Sequence, residues 1–254
     1  MDAGLRNKIV LVTGGAGGIG HAICRKFADQ GARVVVHYYK SENDAVELAR
    51  EIDGASVYAD LRNYSEASEM IESIKSKEGS LDICVANSGV YPSQSKPLWE
   101  IDEIRWKSII SSNLGVTVNT ARAFLKLAST VNSGSLVLVG STAGIYGEAG
   151  HSDYAAAKGA ITSGLLMSLK NEVSGMGTVR VNAVAPGWTL TPRKAEMGLD
   201  EEIMQRAKST MALKKLAMPD DVANAIVLLS SDNLSGHITG QTIEVAGGME
   251  GRII

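Results

Sequence analysis

Cysteine, phenylalanine and proline are scarce in this chain: two, two and five residues among 254. Two thiols cannot build a disulfide framework. Cys24 falls in a helix-like segment and Cys84 in an apolar strand-like run, so both are expected to be buried and reduced. There is no basic excess either. Lys and Arg number 25 against 28 Asp and Glu, for a net charge of −3, which speaks against a nucleic-acid binder. No apolar run approaches the roughly 18 residues of a membrane span. The start, MDAGLRNKIVLVTGG, lacks the regions of a secretory leader, and a cytoplasmic location is expected. His21, His37, His151 and His237 show no ligand-like spacing, so no metal site is expected. Linkers, repeats and low-complexity tracts are missing too.

What is present is alternation. Short apolar runs rich in β-branched residues occur at 8–12, 33–38, 55–59, 81–86, 135–139, 179–184 and 242–245. Helical patterns fill the intervals, among them 21–30, 41–52, 65–78, 103–128 and 152–173. Strands that are apolar on both sides belong to a parallel sheet covered on both faces. With right-handed crossovers, this predicts one α/β domain over 1–254, a doubly wound parallel sheet of about seven strands. The least regular stretch, 187–215, is long enough to form a lid at the carboxyl end of the sheet.

The first strand runs into VTGGAGGIG (12–20) and then a helix. Glycines allow close backbone approach, and the helix amino terminus offers free N–H groups to a pyrophosphate, as in Rossmann-like folds. The spacing is T-G-x-x-x-G-x-G on Thr13, Gly14, Gly18 and Gly20, without the G-K-[S/T] of a Walker loop. Further on, HSDYAAAK (151–158) sets Tyr154 and Lys158 four apart, on one face if helical. The alanines between them keep that face low. A free tyrosine has a pKa near ~10, so bringing it to neutrality requires favouring the anion by about 4 kcal/mol. A nearby lysine cation is expected to supply part of that.

Along nearly its whole length the chain resembles the classical short-chain dehydrogenase/reductases. The resemblance is carried by T-G-x-x-x-G-x-G, by ANSG (86–89), by Asn113 in SSNLG and by Ser141, 13 residues before Tyr154. Y-x-x-x-K on Tyr154 and Lys158 and PGWTLT (186–191) complete it. Ala86 and Ala246 depart from the family pattern, in which Asn and Asp are usual there. The resemblance implies an NAD(P)-dependent oxidoreductase exchanging a hydride with a carbonyl or alcohol. Tyr154 would move the proton, Ser141 would hydrogen-bond the substrate oxygen, Lys158 would hold the nicotinamide ribose, and Asn113 would hold a relay water. It also implies a cofactor site formed by Gly14, Gly17, Gly18, Ile19, Gly20, Tyr38, Lys40, Ser41, Asp60, Leu61, Asn87, Gly89, Tyr154, Lys158, Pro186, Gly187, Thr189 and Thr191.

NAD sites usually carry an acid near the end of the second strand. Here that position is Tyr38, followed by Lys40 and Ser41, which favours NADP over NAD; Gly17, where many NADP-using relatives carry a basic residue, counts against it. The implied substrate pocket is Tyr91, Ile145, Tyr146, His151 and Trp188. Its mixed character suits a sugar, polyol or hydroxyketone and does not exclude a 3-oxoacyl thioester. Arg193, Lys194, Lys214 and Lys215 add positive charge near the lid. A homotetramer is implied, with the helices of 103–128 and 152–173 at one interface and the last helix and strand at another, where the apolar end of GGMEGRII would be buried. The alternatives are a catalytically silent dinucleotide-binding or regulatory protein and a member of the extended epimerase or dehydratase branch. The short length argues against the second.

Overall fold

A computed structural model describes residues 2–192 and 201–249, apart from the side chain of Ile203. Seven parallel strands form one sheet in the order β3-β2-β1-β4-β5-β6-β7. They are β1 (Ile9–Val12), β2 (Arg33–Tyr38), β3 (Ala55–Tyr58), β4 (Ile83–Ala86), β5 (Ser133–Val139), β6 (Thr178–Pro186) and β7 (Thr242–Val245). The chain builds outward from β1 to β3, then crosses back to place β4 on the other side of β1. That reversal opens a crevice at the carboxyl ends of β1 and β4, where ligands bind in open α/β sheets.

The apolar runs of the inner strands are continuous because each of these strands serves two cores. Ile9 and Leu11 face one layer, and Val10 and Val12 face the other. The first layer takes α3 (Tyr64–Glu78) and α5 (Val116–Val131). The second takes α1 (Gly18–Asp29), α2 (Glu42–Glu51) and the helix of Pro219–Ser230. Cys84 lies in the first core and Cys24 in the second, so the sheet separates the two buried thiols.

The two long helices differ from expectation. The first is α4 (Glu103–Ile110), then one π-helical turn over Ser111–Gly115, then α5. The second begins after the short α6 (Ala143–Tyr146): α7 (Ser152–Ala160), a π turn over Ile161–Leu165, then α8 (Leu166–Glu172). Such π turns are single insertions that re-aim the side chains around them and recur at functional sites. After β6, Thr189 forms a parallel bridge with Ala217, closing the base of the excursion that carries α9 (Glu201–Ser209). The positive residues Arg193 and Lys194, and the end of the tail at 250–254, lie outside the described residues.

Candidate active site

The phosphate turn is held mostly from behind. Gly14 takes φ +62°. Its N–H donates to Nδ1 of His37, on β2, at 3.0 Å, which leaves Nε2–H of that ring to donate to the Ala59 carbonyl at 3.0 Å. Burial pushes His37 down to about 4, so the ring stays neutral and can accept from Gly14. From β4, the Asn87 amide donates to the carbonyls of Thr13 and Gly14 at 2.9 and 3.2 Å. The Thr13 hydroxyl accepts from the backbone of Asn87 and Ser88. A Cβ on Gly20 would overlap the Gly14 carbonyl, so only glycine lets the turn close on the helix.

The turn therefore uses its buried polar groups on itself and leaves its outer face open. Gly17 and Gly18 are exposed. Helix α1 has no side-chain cap and no acid in its first turn. An uncapped amino terminus of a helix this long favours an anion, which fits the pyrophosphate of a dinucleotide. Thr191, from the chain beyond β6, lies against the Cα of Gly18, which brings the start of the excursion over the turn. Ile19 anchors the helix into the second core, and Pro186 and Gly187 end β6 beside it. Thr189 is buried, with its hydroxyl donating to the Gly187 carbonyl at 3.1 Å.

At the expected adenosine end, Tyr38 is half-buried and its hydroxyl donates to Glu42 at 3.1 Å. A carboxylate thus stands near the end of β2 although the strand itself supplies none. Ser41 is the N-cap of α2 without a side-chain cap bond. Lys40 and Arg62 both approach the Tyr39 ring, at 5.8 and 4.9 Å from its centroid. Asp60 is gripped by Arg62 at 2.6 Å, which holds its carboxyl below the usual range, and Leu61 is buried beneath.

The second half of the site lies across the crevice. Asn113 sits in the first π turn, fully buried, and its amide donates to the carbonyls of Val90 and Ile109 at 2.9 and 3.0 Å. Its side-chain oxygen accepts from Val90 N–H at 3.2 Å. The side chain pins the 87–91 loop to the helix and has no amide proton left for a relay. Gly89 makes this approach possible: a Cβ there would stand 2.7 Å from Asn113 Oδ1 and 3.3 Å from Lys158 Nζ.

Tyr154 and Lys158 project from α7 as the spacing predicts. The Lys158 ammonium lies 5.8 Å from the centroid of the Tyr154 ring and donates to the Val139 carbonyl at 2.9 Å. Ser141, just after β5, stands beside the Tyr154 phenol, where its hydroxyl favours the anion, and accepts from Ala143 N–H at 3.2 Å. The expected acidification of the phenol by the lysine is not what this geometry gives. Desolvation pushes Tyr154 up to about 12; the Ser141 hydroxyl opposes the rise and the Glu148 charge adds to it. Burial pushes Lys158 down to about 8. The ammonium lies against the ring and a backbone carbonyl.

Of the expected pocket residues, Tyr91 meets Tyr154, and His151 joins them through Tyr91. The Tyr91 ring stands edge-on to Tyr154 at 5.2 Å and stacked on His151 at 4.8 Å. Tyr146 turns toward β7 and donates to Glu244 at 2.7 Å, and Ile145 is exposed on the same short helix. Trp188 accepts from Ala217 N–H through its carbonyl, at the base of the excursion.

Several residues carry the site without having been singled out in the sequence. Glu148 accepts from the Tyr91 hydroxyl. Arg105, on α4, donates to both oxygens of the fully buried Asp153 at 2.8 and 3.3 Å, and to the carbonyls of Gln94 and Gly150. One guanidinium thus ties together both walls of the pocket and the first turn of α7. For His37 the available signal was a lone polar residue inside VVVHY. For Arg105 and Asp153, 48 positions apart, sequence offers no local signal.

The comparisons agree with this geometry. The family model described as enoyl-(acyl carrier protein) reductase matches residues 14–250. The chain is similar to a 3alpha-hydroxysteroid dehydrogenase of Mediterraneibacter gnavus, 33% identical over 96% of this chain and 97% of that one. It is as similar to the 3-oxoacyl-[acyl-carrier-protein] reductase FabG of Thermotoga maritima, 33% identical over 96% and 98%. An acetoacetyl-CoA reductase of Allochromatium vinosum is 30% identical over 95% and 98%. A dinucleotide crevice facing a Ser–Tyr–Lys set, together with full-length matches to these enzymes, leads to one conclusion: the chain belongs to the short-chain dehydrogenase/reductase family of oxidoreductases, acting on CH–OH and C=O groups.

Proposed function

We propose that this enzyme reduces a ketone to a secondary alcohol, and runs the reverse reaction, with a nicotinamide dinucleotide, using Tyr154 as the general acid or base. The carrying observation is the buried Tyr154 phenol, with Ser141 beside it and buried Lys158 against its ring, across the crevice from the open amino terminus of α1. When bound, the nicotinamide supplies or accepts the hydride. Tyr154 gives its proton to the carbonyl oxygen, and a phenol at about 12 is fully protonated for that task at neutral pH. Ser141 donates to the same oxygen as negative charge develops there. Lys158 keeps a cation beneath the ring and is placed to hold the ribose hydroxyls. The turn closed by Gly14 and Gly20 takes the pyrophosphate on its outer glycines, Gly17 and Gly18, with Thr191 above them. Asn87, Gly89, Pro186, Gly187 and Thr189 shape the crevice walls.

NADP is the proposed partner. Lys40 and Arg62 place two cations around Tyr39 at the adenosine end, where a 2′-phosphate would lie. NAD is the second reading, favoured by Glu42, whose carboxylate on the Tyr38 hydroxyl could instead receive a ribose 2′-hydroxyl. Dissociation constants for NADPH and NADH separate the two. The relatives' names divide between 3-oxoacyl thioesters and a hydroxysteroid, which supports a ketone/alcohol pair.

We further propose one dinucleotide-binding domain whose excursion within 187–215 covers the substrate, and a homotetramer in the cytoplasm. Trp99 and Ile104, 85% and 83% exposed at and before α4, together with Met167 on α8, leave apolar surface on the helices expected to pack between subunits. The buried, unpaired cysteines suit a reducing compartment. Light scattering tests the assembly. The function is tested by reducing a ketone panel with NADPH deuterated at nicotinamide C4. Deuterium in the product carbinol is expected, and its absence for every ketone would sink the reading.

A further inference from the structure

Glu148 is an unassigned group at the mouth of the pocket. It lies in the loop between α6 and α7, with its side chain 30% exposed. It accepts the Tyr91 hydroxyl proton and stands 3.6 Å from Nδ1 of His151, itself buried. Tyr91 in turn presses its ring edge on Tyr154 and its face on His151. These contacts fix the character of the wall. Because Tyr91 donates its only hydroxyl proton to Glu148, the Tyr91 oxygen and the Glu148 carboxylate keep only lone pairs to offer a further ligand. A carboxylate accepts at up to about four positions. Tyr91 takes one, and no second hydrogen bond to Glu148 is made among the described residues.

We propose that Glu148, braced by Tyr91 and His151, is the specificity determinant of this enzyme and selects carbonyl substrates that carry a hydroxyl beside the reacting carbon. Such a hydroxyl donates to the carboxylate in a charge-assisted bond. A plain alkyl neighbour would cover the carboxylate without pairing it, and a substrate carboxylate would meet like charge. This rests on the proposed reductase reading of the same site and narrows it toward polyol and hydroxyketone chemistry.

Three small ketones of nearly one size test it: hydroxyacetone, butanone and pyruvate. The holoenzyme is expected to prefer them in that order in kcat/KM. In Glu148→Gln, which keeps the shape of the side chain, the hydroxyacetone-to-butanone ratio should fall about 10-fold or more, the scale of one charge-assisted hydrogen bond. Pyruvate should gain on butanone. In Tyr91→Phe the carboxylate is released and the preference for hydroxyacetone should persist. A ratio unchanged within about 2-fold in Glu148→Gln would overturn the proposal. Ligand-observed NMR of the same ketones on enzyme loaded with NADP reads binding without turnover. A Glu148-dependent preference there with no reduction would uphold the selectivity and sink the reductase reading. Equal binding in wild type and Glu148→Gln would overturn the selectivity alone.

Discussion

The two ends of the crevice use polar side chains in opposite ways. At the phosphate turn, His37, Asn87 and Thr13 are turned inward and bind backbone, which leaves the uncapped amino terminus of α1 open. At the proposed substrate mouth, Tyr91, Glu148 and His151 pair with one another, and Tyr91 and Glu148 reach the surface. The first arrangement recognises a feature common to all dinucleotides. The second can change with a few side chains while the frame stays fixed. That difference suits a family whose relatives here are named for thioesters and a steroid.

If the frame is separate from the reading surface, breaking the frame should affect everything at once. The largest effect is expected at Asp153, whose fully buried carboxylate is held by Arg105. Asp153→Ala leaves the mostly buried guanidinium without its carboxylate and should cost about 3–5 kcal/mol in urea unfolding. Glu103→Ala removes an exposed pair with Lys107 on the same helix, and less than about 0.5 kcal/mol should follow. Equal losses would show that Arg105 is not a clamp. Next comes Gly20→Ala, which forces the turn away from α1. It should cost roughly 1–3 kcal/mol by overpacking and weaken dinucleotide binding, with both read by thermal shift with and without cofactor.

His37→Ala should raise the cofactor Kd about 10-fold, the scale of one lost hydrogen bond to the turn, and change the substrate KM much less. Its titration adds a sign. Folded His37 sits at about 4 against an ordinary 6.5, so the unfolded chain binds more protons between those values. Stability from this group is complete above pH 6.5 and is lost as pH falls toward 4. The variant should flatten that acid slope. The smallest effect is a limb in the pH profile. Lys158 loses its charge near pH 8, so kcat/KM for reduction should decline above that pH. A flat profile to pH 10 would mean that the ammonium contributes nothing to turnover.

The contrast also explains what the sequence revealed. Strand positions followed from runs such as KIVLV and SLVLV, because burial on both faces leaves a plain compositional mark. The glycine turn and the Tyr154–Lys158 spacing were legible because local geometry dictates them. The π turns at SSNLG and ITSGL were not, since one inserted residue barely disturbs an apolar pattern already carried by long helices. Nor was the direction in which Lys158 points. Its bond to Val139 depends on how α7 packs on β5, and that bond turns the ammonium to the ring face. Glu148 was missed because a lone acid in a loop resembles any solvated charge until Tyr91, 57 positions away, is laid against it.

The claim on which the rest depends is that the Tyr154 hydroxyl delivers the proton. It is tested most directly by single-turnover reduction with Tyr154→Phe preloaded with NADPH. The account predicts a loss of at least about 100-fold in rate, with cofactor Kd changed by no more than a few-fold. A rate near wild type in the phenylalanine variant would contradict it.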